Sequence, residues 1–171
     1  MKKSSVCWIG LVTAILFLFS FAGCDTESEG SDIPDDVAEL GGGAIELVGE
    51  VISIALDYGD YTTTGMTITS SDSGGTAILT NYRPYYESPI TVTGTIVVTV
   101  LSTNPIKLQI AGNCTLGNSD FSTLSITGTA TWAKGDDMDD EPQSYSGSIT
   151  IDGTKYSIDD MMDAVEDLED D

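Results

Sequence analysis

The chain of 171 residues contains no histidine. That absence excludes Ser-His-Asp and Cys-His nucleophilic catalysis, histidine-ligated zinc, and the side chain that most readily exchanges protons near neutral pH. Positive charge is almost as scarce. Six lysines and arginines stand against 28 acids, for a formal net charge of −22. A chain so charged repels phosphates, which excludes nucleic acid as a partner and argues against electrostatic attraction to an anionic lipid surface. It favours instead a divalent cation, a cationic partner or simply a well-solvated protein. No P-loop and no dinucleotide-binding glycine motif is present. No cysteine cluster stands in for the missing histidines, since the three cysteines, Cys7, Cys24 and Cys114, are far apart in sequence. An enzyme is not expected. Hydrolysis by paired carboxylates alone remains open as a chemistry, but few acids fall on the segments that read as strands.

What is present begins with a targeting pattern. Lys2 and Lys3 are followed by an uncharged run from Val6 to Phe21, about 16 residues and short of the roughly 20 that span a bilayer as a helix. Small residues and a cysteine come next. A basic start, a short apolar core and small residues at its end mark an export signal. The stretch Phe21-Ala22-Gly23-Cys24 resembles the lipobox of bacterial lipoproteins, with Phe21 where leucine is usual. The resemblance covers the first 24 residues only. It implies a signal peptide over 1–23, a diacylglycerol on the Cys24 thiol and cleavage before Cys24. Membrane lipid would then be the first partner, reached through the acylated cysteine. The protein would be exported and held at the cell envelope, at a face of the inner or outer membrane or at the cell surface. Cys7 would leave with the signal, and Cys114 would remain as a lone thiol, so no disulfide framework is expected.

After Cys24 the sequence DTESEGSDIPDD is acidic and lacks an apolar period. Residues 24–43 are therefore expected to form the lipidated cysteine and a flexible acidic tether. Within the wider segment 35–57, Val37, Leu40, Ala44, Leu47, Val48, Val51 and Ala55 recur at spacings of three and four, the period of an amphipathic helix, and Asp32 before Pro34, with Asp35 and Asp36 next, resembles a helix start. Gly41-Gly42-Gly43 opposes a helix at that point, which suggests a start at 44, and Val48 to Leu56 is β-branched enough to be a strand. Beyond Tyr61, Thr, Ile, Val, Tyr and Ser dominate and turn residues recur regularly, the pattern of an antiparallel sheet. Strands are expected at 62–70, 75–82, 90–101, 106–114, 121–133, 146–151 and 155–158. Asp152-Gly153 is the clearest hairpin turn. The expected fold is α+β over 44–158, an N-terminal amphipathic helix on a curved antiparallel sheet of six to eight strands, with an all-β sandwich or barrel as the alternative. Residues 159–171 read as a short acidic helix or tail capped by Ser157 or Asp159.

Two constellations stand out as candidate sites. Asp136, Asp137, Asp139, Asp140 and Glu141 could offer oxygen ligands to Ca²⁺, although their spacing is not that of an EF-hand. The bland reading is a solvated hairpin loop with no cofactor. Tyr82, Arg83, Tyr85 and Tyr86 form an aromatic loop that could hold a sugar or anchor a protein interface, or could cover the edge of the core. The expected function is a membrane-tethered, non-catalytic binding or structural module of the envelope.

Overall fold

The computed structural model describes residues 33–84, 89–134 and 143–169. The expected signal, Cys24 and the first part of the tether lie outside the described residues, as do Tyr85, Tyr86 and the acidic loop 136–141. The described chain opens with helix α1, Asp35–Ser53, which runs into a wider π-type turn over Ile54–Tyr58. Eight strands follow: β1 Tyr61–Thr63, β2 Met66–Ser71, β3 Gly74–Tyr82, β4 Thr91–Thr103, β5 Ile106–Gly117, β6 Thr123–Thr131, β7 Ser144–Ile151 and β8 Thr154–Ser157. Helix α2, Ile158–Glu169, ends the described chain.

The strands form one sheet in sequence order, each antiparallel to the next. The sheet is not closed into a barrel, so β1 and β8 are its edges and the sandwich or barrel alternative falls. Both edges are short, which limits pairing with other chains. The part of β2 that β1 leaves uncovered is blunted further, because the Ser70 amide donates to Asp60 Oδ1 at 2.8 Å.

Side chains along the strands alternate cleanly, and the inward set makes one core. Met66, Ile68, Ala77, Leu79, Ile96, Val98, Leu108, Ile126 and Ile149 are buried from the sheet side. Ala44, Leu47, Val51 and Ile54 meet them from α1 and the turn after it, and Met161 meets them from α2. Burying each large aliphatic side chain is worth about 1.5–3 kcal/mol. Both helices therefore lie on one side of the sheet.

Helix α1 begins at Asp35, where Asp35 and Asp36 follow Pro34, and not after the glycines at 44. It runs straight through Gly41-Gly42-Gly43, which shortens the tether expected over 24–43. Each interior glycine costs a helix about 1 kcal/mol relative to alanine. The reason the run is tolerated lies across the interface. A Cβ on Gly41 would overlap the Met161 side chain, and one on Gly42 would come within 3.1 Å of Val165. The glycines form the groove in which α2 is seated. The expected single strand over 62–70 is a hairpin instead, with Gly65 in its turn at φ 83°. Asp152 and Gly153 both take positive φ, 46° and 86°, as a type I′ turn requires. Ser157 caps α2, its Oγ accepting the Asp160 amide at 3.0 Å.

Candidate functional site

Helices cover one face of the sheet; the outward positions of the strands make the other. None of the eight strands contains an aspartate or glutamate, although the chain carries 28 acids. The only charged residues on strands are Lys107 and Lys155. Among the described residues the acids lie on the helices and in the turns between elements, and the outward strand positions carry hydroxyls, amides, a few apolar side chains and the two lysines.

Register places these groups in rows across the strands. One row runs Thr67, Ile78, Thr95, Asn113, Ser125, Thr150. The next runs Thr69, Thr76, Val97, Ala111, Thr127, Ser148. Neighbouring hydroxyls within the rows engage one another, Thr127 Oγ1 with Ser148 Oγ at 3.3 Å and Thr129 Oγ1 with Ser146 Oγ at 2.7 Å. Ser125 Oγ lies 3.1 Å from the Gly112 carbonyl and 3.0 Å from Asn113 Oδ1. Such cross-strand pairs hold side chains in fixed positions. In the middle of the hydroxyl field sit Ile78, 54% exposed, and Val97, 37% exposed, diagonal neighbours by register. Beside them, at the β2–β3 turn, a shallow depression of about 270 Å³ is lined by Thr69, Ser73, Gly74, Thr76, Val97 and Thr99. Gly74 takes φ 126°, and a Cβ there would overlap the Val98 carbonyl oxygen, so only glycine fits that wall.

The residues singled out from sequence are distributed differently. Tyr82 does not project from a loop. It is half-buried at the end of β3, and its hydroxyl donates to both carboxylate oxygens of Glu50 on α1, at 2.9 and 3.0 Å. Burial raises the Glu50 pKa above its usual value, opposed by that hydrogen bond. Burial and then the Glu50 charge raise that of Tyr82. The pair clamps helix to sheet. Arg83 is exposed. Among the described residues no group of three acids and cysteines could hold a metal ion. Cys114 is buried on the inner face of β5, where desolvation pushes its thiol pKa up, the opposite of an activated nucleophile.

Two polar features were not anticipated. Asp152 is exposed, yet its carboxylate accepts the amides of Ser122 and Thr123 and the Thr123 hydroxyl. Those bonds lower its pKa and tie the β7–β8 turn to the start of β6. The acid-free open face was the other. Its signal was available in the sequence, as the absence of acids from every segment of β pattern. No described helix is long and apolar enough to cross a membrane. No family model, curated protein or solved structure matches this chain.

Proposed function

We propose that the chain is a lipid-anchored envelope lipoprotein, acylated at Cys24, whose domain acts as a non-catalytic contact module through the open face of its sheet. The anchor rests on the signal pattern over 1–23 and the Phe21-Ala22-Gly23-Cys24 stretch. The observation that supports a contact role is the sorting of charge: in a strongly acidic protein, the outward positions of all eight described strands are free of acids. Surfaces that meet a partner deplete charge at their centre and keep it at the rim. Ile78 and Val97 supply the exposed apolar centre of such a surface, and threonine hydroxyls surround it.

The glycines Gly94, Gly128 and Gly147 within β4, β6 and β7 would let this sheet curve around the helix layer. A domain built this way presents its hydroxyl rows on strands hydrogen-bonded into one sheet, a platform of strands rather than a set of loops. Reaction chemistry finds little support in it. The open face carries no ionised acid or base apart from lysine, and the buried titratable pair, Glu50 and Tyr82, is spent on tying two elements together.

Fractionation tests the anchor. The wild-type chain is expected in the membrane fraction and Cys24→Ser in the soluble fraction; equal partitioning of the two would contradict the proposal. The contact role is tested by placing an acid at the centre of the face. Val97→Asp is expected to fold and to lose whatever assembly the wild-type chain forms on the envelope, read by crosslinking in cells.

A further inference from the structure

Charge is divided between the two sides of this domain as well as sorted among its elements. Helix α1 carries Asp35, Asp36, Glu39, Glu46 and Glu50 and no basic residue. Helix α2 carries Asp159, Asp160, Asp163, Glu166, Asp167 and Glu169, again with no basic residue. Both helices lie on the inner side of the sheet. Across the sheet, the outward positions carry Lys107 and Lys155 and no acid. Turn carboxylates such as Asp72 and Asp120 sit at the ends of the sheet, beyond the hydroxyl rows. Among the described residues, charge is thus divided: acids on the helix side and none at the outward strand positions.

We infer that the occupant of the open sheet face is the anionic headgroup surface of the membrane to which the chain is tethered, with the acidic helix layer held away from it. The inference rests on the lipid-anchor reading. Between Cys24 and the first described residue lie residues 24–32, a segment that extends at most about 30 Å. A domain on so short a leash stays beside the bilayer, and one of its sides must meet the headgroups. The potential of an anionic leaflet repels carboxylates and decays over about 8 Å at physiological salt. Turning the helix layer inward would bring the exposed carboxylates of both helices into that zone; turning the sheet inward brings two lysines and a field of hydroxyls. The leash is long enough for the second arrangement, since a helix layer is only about 10 Å thick. Exposed Ile78 and Val97 then sit at the headgroup level, with Leu101, 50% exposed at the β4 bulge, beside them. The lipid chains supply the hold and the charges supply the orientation, so the net charge of −22 is no obstacle.

The test uses the acylated mature chain in two forms with one introduced cysteine each, Thr127→Cys on the open face and Asp163→Cys on α2, labelled with a fluorophore at that position. Acylation of Cys24 is verified by mass. Cys114 is buried and stays unlabelled in the folded protein. The chains are reconstituted in phosphatidylcholine vesicles containing phosphatidylglycerol and a headgroup-linked quencher. The Thr127 position is expected to be quenched severalfold more than the Asp163 position, and molar salt or omission of phosphatidylglycerol should narrow the difference. Equal quenching, or stronger quenching at Asp163, in an acylated chain would overturn the orientation and leave the anchor standing. In that case the open face would be free for a protein partner. A chain whose Cys24 carries no lipid would overturn the anchor, and this inference with it.

Discussion

Gly41 concentrates the conflict between local propensity and packing. Alanine is the better helix former by about 1 kcal/mol, so a surface view of α1 would count Gly41→Ala as stabilising. The added Cβ meets Met161, whose side chain is fully buried and has nowhere to withdraw. Overpacking of this kind costs about 1–3 kcal/mol. Gly41→Ala is therefore expected to lower stability by roughly 1 kcal/mol net, measured as a shift in the urea midpoint. An unchanged or higher midpoint would mean that α2 does not depend on the groove.

Glu50 and Asp152 are carboxylates pulled in opposite directions, and the sign of each is open to measurement. Burial raises the folded pKa of Glu50 above 4.5, so its contribution is full below that value and is lost as pH rises through the raised one. Glu50→Gln, which keeps a partner for the Tyr82 hydroxyl, should remove this loss and be relatively more stable at neutral pH than in acid. The folded pKa of Asp152 lies below 3.8, so its contribution is present above that value and disappears as pH falls through the lowered one. Asp152→Asn should weaken the fold at neutral pH and make little difference in strong acid. Stability curves against pH for the two variants should diverge; parallel curves would contradict the assignment. Tyr82→Phe strips Glu50 of its hydroxyl donor and should cost about 1–3 kcal/mol.

At the scale of elements, the sheet was legible, and the helix only up to its glycines. Alternation of Thr, Val and Ile with turn residues located seven strand segments, because the β pattern has a period that sequence displays directly. The eighth strand was hidden inside 62–70, where Gly65 makes a turn that looks like a mid-strand glycine. Asp35 and Asp36 after Pro34 marked the start of α1, but its passage through the glycines was hidden for a tertiary reason. Gly41 and Gly42 read as helix breakers until Met161 and Val165, more than a hundred residues later in the chain, are seen to fill the space they leave. No local window contains both halves of that contact. Of the aromatic candidates, Tyr82 follows the second reading, covering the edge of the core. Tyr82 stood out as an aromatic residue beside Arg83 and Pro84, but its partner Glu50 lies on another element. The open face was overlooked because it is defined by what its strands lack. The cap of α2 was legible, since Ser157 precedes an acidic first turn. Ser157→Ala should cost about 0.5–2 kcal/mol and fray α2 first, visible as faster amide exchange in 158–169 than in the sheet. Uniform exchange across the domain would show α2 and the sheet unfolding as one unit.

The whole molecule joins an acidic helix layer to a neutral sheet, behind an amino-terminal pattern for export and lipid attachment. These features support a protein that works at a membrane surface by contact rather than by catalysis. The claim on which the rest depends is the lipid at Cys24, because the length of the leash and the side that faces the bilayer both follow from it. Intact-mass measurement of the chain isolated from the envelope tests it most directly. The account requires a mature chain that begins at Cys24 and carries the added mass of a diacylglycerol. A chain that still begins at Met1, or an unmodified Cys24, would contradict it.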